Sequence, residues 1–131
     1  MMRVATCRCG SLRANCSGEP LRLSVCHCRA CQQRTGSAFS AQVRFPVDAV
    51  TVEGNWLEFV RSADSGREVT YRFCPSCGST VSYMIDAWPD LIAVPLGLFD
   101  EADFPHPAYS IYEKNRQSWV SITGAETQHH P

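Results

Sequence analysis

The sequence predicts a mainly β single domain with little helix, and three observations carry that reading. Short runs of alternating or β-branched residues recur along the chain. Eight prolines and eight glycines among 131 residues supply tight connections between them. No stretch has the period of a long amphipathic helix. The length suits one domain, and a chain of this size buries roughly two thirds of its unfolded surface, enough for a real core. The folded domain is expected over residues 1–123. Residues 124–131 are polar and are expected to fray, taking His129 and His130 with them.

The elements follow in order. Leu12 to Cys16 reads as a strand, with Cys16 as a small buried hydrophobe. Cys28 to Thr35 has room for one or two helical turns and is stopped by Gly36. Ala38 to Phe45 alternates apolar and polar, and Val50 to Val52 ends at a Gly54-Asn55 turn. Trp56 to Val60, Glu68 to Phe73, Thr80 to Ile85 and Leu91 to Leu98 all look extended. Tyr109 to Tyr112 and Trp119 to Thr123 add two more strands, and Phe39, Phe73, Trp88 and Trp119 are assigned to the core.

Composition narrows the function. Hydrophobic residues make up 44% and charged residues 19%, which fits a globular chain rather than a disordered one. No run approaches the length of a membrane span. A net charge of -1 argues against a nucleic-acid reader, which needs a dense basic surface. Met1 to Gly10 holds no apolar run of signal-peptide length, so a cytoplasmic location is expected.

Seven of the eight cysteines fall into three clusters: Cys7-x-Cys9, Cys26-x-Cys28-x-x-Cys31 and Cys74-x-x-Cys77. Such gaps let neighbouring thiolates reach one ion, and a reducing cytosol disfavours the disulfide alternative. Cys74-Pro75-Ser76-Cys77-Gly78 reads as a knuckle that supplies half a tetrahedron. The economical partition joins Cys7, Cys9, Cys74 and Cys77 in a closed structural zinc site, leaving Cys26, Cys28 and Cys31 as an open one. A competing partition pairs the knuckle with two members of the trio.

The segment from Cys26 to Phe39 (CHCRACQQRTGSAF) resembles the signature of the glutathione-dependent formaldehyde-activating enzyme family, shared with the centromere protein V family. Cys7-Arg8-Cys9-Gly10-Ser11-Leu12 resembles its opening segment, and Phe73 to Ser79 its late knuckle. The resemblance implies a β-tent fold with two zinc ions per chain. It places the structural ion on Cys7, Cys9, Cys74 and Cys77 and the catalytic one on Cys26, Cys28 and Cys31. It implies joining of glutathione and formaldehyde into S-hydroxymethylglutathione, a carbon–sulfur lyase chemistry. The expected partners are a small thiol such as glutathione and a small aldehyde, with no nucleic acid and no membrane.

Three thiolates on Zn²⁺ sum to -1, so the ion is a poor generator of hydroxide and a good acceptor of a fourth soft sulfur. Arg34 is the candidate for holding a glutathione carboxylate, with Arg29 and Arg44 read chiefly as solvated surface. His27 is expected to point away from the metal, hydrogen-bonded, rather than to shuttle protons. The alternative to an enzyme is a non-catalytic zinc-stabilised binding module, with the open position filled by a side chain.

Overall fold

The computed structural model describes residues 1–63, 65–101 and 104–131. In chain order the strands are β1 (Met2–Thr6), β2 (Arg13–Ser17), β3 (Arg22–Cys26), β4 (Ser40–Pro46), β5 (Val50–Glu53), β6 (Leu57–Ser62), β7 (Glu68–Phe73), β8 (Thr80–Ile85), β9 (Leu91–Pro95), β10 (Tyr109–Ile111) and β11 (Gln128–His129). The α-helix among the described residues, α1 (Arg29–Thr35), sits between β3 and β4. The fold class is mainly β, as the sequence predicts.

The strands form a small sheet ordered β1-β2-β5 and a large one ordered β11-β10-β3-β4-β9-β8-β7-β6. The main core includes Ala5, Leu12, Ala14 and Cys16, which meet Leu23, Val43, Phe45, Ile92 and Val94 from one face of the large sheet. Alternation along β4 sends Val43 and Phe45 into this core and Ser40, Gln42 and Arg44 to the opposite face. A bulge opposite Arg72 and Phe73 turns Val81 into the core while Tyr83 faces the other way. On that other face Val69, Tyr71, Tyr83 and Ala93 form a second cluster. Arg22, Arg44, Ala93, Tyr83, Tyr71 and Phe59 are successive cross-strand partners, so they make one row across six strands.

Gly54, at φ 112°, closes the turn after β5, where a Cβ would collide with the Ser11 carbonyl oxygen. The helix ends as expected: Gly36 is left-handed at φ 67°, and its N–H donates to the Gln32 carbonyl at 2.8 Å.

The structure differs from the sequence reading in several places. Trp119–Thr123 is no strand: Val120 N–H donates to the Gln117 carbonyl at 3.0 Å, and the Arg116 guanidinium caps the Val120 carbonyl. Trp119 is 76% exposed and Trp88 48% exposed, so neither belongs to the core. Leu91–Leu98 splits at Pro95, which cannot extend the ladder, and continues as a 3₁₀ turn over Leu96–Leu98. The end of the chain is paired rather than frayed. Gln128 and His129 lie parallel to Tyr109 and Ser110, and His129 Nδ1 lies 2.7 Å from Glu113 Oε2.

Candidate metal centres

Two tight turns build the first centre. Cys7 and Cys9 lie on the connection from β1 to β2, and Cys74 and Cys77 on the connection from β7 to β8. In each turn a backbone bond crosses the base, Cys7 N–H to Leu12 O at 2.9 Å and Cys74 N–H to Ser79 O at 2.9 Å. Gly10 and Gly78 both take positive φ, at 84° and 80°. The four sulfurs lie within 4.8 Å of one another. Cys7 and Cys9 Sγ are 3.6 Å apart, and Cys9 and Cys74 Sγ 3.7 Å. A tetrahedral zinc with bonds of about 2.3 Å sets its sulfurs roughly 3.8 Å apart, so the donor set fits that ion.

The turns favour thiolate at Cys74 and Cys77. Leu12 N–H points at Cys7 Sγ (3.3 Å) and Ser76 N–H at Cys74 Sγ (3.4 Å). Ser11 Oγ lies 3.1 Å from Cys9 Sγ and 3.3 Å from Cys74 Sγ. The Ser79 hydroxyl, followed by backbone N–H groups, holds the Cys77 thiol down at about 5, and Ser11 holds Cys74 down at about 7. Ser11 and Ser79 are supporting residues that the sequence reading passed over. The signal was present, since Cys-Gly-Ser occurs at both Cys9–Ser11 and Cys77–Ser79.

The second centre stands on the opposite side of the large sheet from the main core. Cys26 ends β3, Cys28 caps α1 and Cys31 lies in its first turn, its N–H directed at Cys28 Sγ (3.4 Å). The three sulfurs lie within 4.8 Å of one another, and no fourth His, Cys, Asp or Glu joins them among the described residues. Hydrogen bonding from Cys26, then from Ser40 and Cys28, together with the charge of Arg34, holds the Cys31 thiol down at about 5; Cys26, hydrogen-bonded to Cys31 and buried, is pushed up. One sulfur held as thiolate beside two more is a donor set that a soft cation takes.

The partition is therefore four and three, and the competing pairing of the knuckle with the trio is not what the fold brings together. Cys16 is fully buried, and burial pushes its thiol up to about 11, so it is an inert core residue. His27 is fully buried and turned from the trio: Nε2 lies 2.9 Å from Ser110 Oγ, whose hydroxyl donates to Glu113 Oε2 at 2.6 Å. Among the described residues its Nδ1 has no partner, its ring lies 5.8 Å from that of Phe39, and burial lowers its pKa. Gln32 fixes the loop from behind by donating to the carbonyls of His27 (2.8 Å) and Asn115 (3.1 Å).

Arginines surround the trio. Arg34 lies over the rings of Tyr83 (5.2 Å) and Tyr71 (5.6 Å), and Arg61 Nε donates to Tyr71 Oη at 3.3 Å. Arg29 turns aside to Gln32 Oε1 at 3.2 Å. Arg44 is buried, contrary to the expectation of a solvated side chain, because β4 is central in the sheet and Trp88 covers it at 5.9 Å. Among the described residues no helix is long and apolar enough to cross a membrane.

Two cysteine clusters, each with its sulfurs close enough together to hold one metal ion, stand on a mainly β frame. A family profile described as glutathione-dependent formaldehyde-activating enzyme matches residues 2–115. The chain belongs to that family. No curated protein matches it. Among solved structures, a Rhodobacter sphaeroides protein determined in a structural genomics programme is similar, with a TM-score of 0.60 and 17% identity over 76% of this chain and 90% of that one. That likeness speaks to the fold alone.

Proposed function

We propose that the chain is a two-zinc enzyme of the carbon–sulfur lyase type, acting on glutathione or a related small thiol. In this reading Cys7, Cys9, Cys74 and Cys77 hold a structural ion, the two sheets are the faces of a β-tent, and the location is cytoplasmic. Cys26, Cys28 and Cys31 hold the catalytic ion. The observation that carries the reading is the three-sulfur set with no fourth protein donor among the described residues, in a chain of this family. Zinc bound there supplies a soft acceptor that lowers the pKa of an incoming thiol.

The residues divide the remaining work. The α1 cap and Gln32 hold the loop that carries the trio. Arg34, pinned over two tyrosine rings, receives a substrate carboxylate and so orients the sulfur. The thiol sulfur bonds to the aldehyde carbon, the C=O π bond opens, and the thiol proton ends on the new hydroxyl. With formaldehyde the product is S-hydroxymethylglutathione. His27 takes no part in coordination and sets the loop through Ser110.

Native mass spectrometry under reducing, zinc-replete conditions tests this. Two zinc ions and a glutathione adduct that Cys26→Ser abolishes are expected. Two ions without an adduct would favour a non-catalytic binding module, and retention of both ions with full turnover in Cys28→Ser would refute the role of the trio.

A further inference from the structure

We propose that Arg22 and Arg44 form the seat for a carboxylate of the thiol substrate, on the sheet face that carries the cysteine trio; this rests on the thiol reading of that trio. The two arginines are direct cross-strand partners on β3 and β4. Like charges placed opposite one another destabilise a sheet, and a buried guanidinium is costly without an anion. Arg44 is only 8% exposed, and its Nη1 is buried with no hydrogen-bond partner among the described residues. Neither arginine has an ion pair among the described residues. An arrangement that carries two uncompensated positive charges in a central position is built for a negative group that arrives from outside.

The surroundings set what that group is. Arg22 is braced over the ring of Tyr109 at 5.2 Å, and Arg44 lies against Trp88. Beside Arg44 a cavity of about 10 Å³ opens under Trp88 and Tyr83, room for about one oxygen atom. A carboxylate can place one oxygen there and leave the other to Arg22. Cys26 pairs with Ser40, four residues along β4 from Arg44, which is about 13 Å of strand. From the central sulfur of an extended tripeptide thiol to a terminal carboxylate is about 7 Å, and the length of an arginine side chain covers the rest. Arg34 stands over Tyr83, two strands across the row from Arg44, so one carboxylate of a glutathione-sized thiol goes to Arg34 and the other to the Arg22–Arg44 pair.

Calorimetric titration of the zinc-loaded full chain tests the assignment with three probes: glutathione, its diethyl ester (both carboxylates masked) and S-methylglutathione (sulfur masked). Arg44→Met and Arg22→Gln are each expected to weaken glutathione about tenfold or more. The diethyl ester is expected to bind wild type and variants equally weakly. Should Arg44→Met fail to fold by circular dichroism, the half-buried Arg22→Gln decides. Glutathione binding that the folded variants leave unchanged overturns the carboxylate seat and leaves the trio's role standing. S-methylglutathione binding as tightly as glutathione, and weakened by Arg22→Gln, supports the seat and refutes sulfur coordination. No binding of any probe to wild type refutes both.

Discussion

Stripping the four-cysteine centre tests how far metal holds this fold together. The sulfurs of Cys9 and Cys74 are 65 residues apart in sequence and 3.7 Å apart in space. A cross-link over a loop of that length removes unfolded-state entropy worth about 4 kcal/mol at 25 °C in the chain-entropy treatment. For a chain of this size that corresponds to a melting temperature shift of roughly 15 °C. The trio spans Cys26 to Cys31, a far shorter loop, so its closure contributes only about 2 kcal/mol by the same relation. The assay uses the Cys28→Ser/Cys31→Ser variant, in which the four-cysteine centre is the remaining cluster. Melting is followed by circular dichroism before and after a strong chelator. The expected outcome is a fall of roughly 15 °C on stripping, against a smaller difference between loaded wild type and the loaded variant. A fall below about 5 °C on stripping, or equal shifts from the two centres, would refute the idea that this site ties the N-terminal turn to the middle of the chain.

Three further outcomes are expected. Arg34→Ala should weaken glutathione binding while both metal ions stay bound by mass; unchanged affinity would remove Arg34 from the substrate's path. Gly54→Ala should cost about 1–3 kcal/mol in urea unfolding, because a Cβ there strikes the Ser11 carbonyl and the backbone is left-handed; a cost below about 0.5 kcal/mol would show that the turn yields freely. Burial alone would raise the Glu113 pKa, but hydrogen bonds from His129 and Ser110 win and hold it below the usual carboxylate range. A depressed carboxylate stabilises the fold above its unfolded pKa, and that contribution is lost as pH falls through the folded value. Acidification should therefore loosen β11, seen as reduced exchange protection of the Glu113 and His130 amides, and Glu113→Gln should remove most of that pH dependence.

The parts legible in the sequence are those whose physics is local. A tetrahedral ion demands ligands at short spacings, so the seven cysteines that could hold one stand out as clusters, and Gly36 marks the end of α1 without help from the rest of the chain. The alternation of Ser24 with Leu23 and Val25 was present too, but β3 went unread because the cysteine motif that follows it dominated the segment. Pairing between distant strands is what the sequence hides. Nothing near Arg44 says that it faces Arg22, since a solvated arginine and a buried one look alike until β3, β4 and β9 are laid side by side. The same holds for Trp119, which a short apolar run assigned to the core and which the Arg116 cap turns outward. The consequence is electrostatic. The whole chain carries a net charge of -1, yet Arg22, Arg34, Arg44 and Arg61 converge on the sheet face that holds the cysteine trio. A trithiolate zinc on that face would itself be negative, so the arginines both offset it and leave positive charge for an anionic thiol. A net charge of -1 is thus compatible with a strongly cationic pocket, because the sheet register, and not the overall charge, decides which arginines meet.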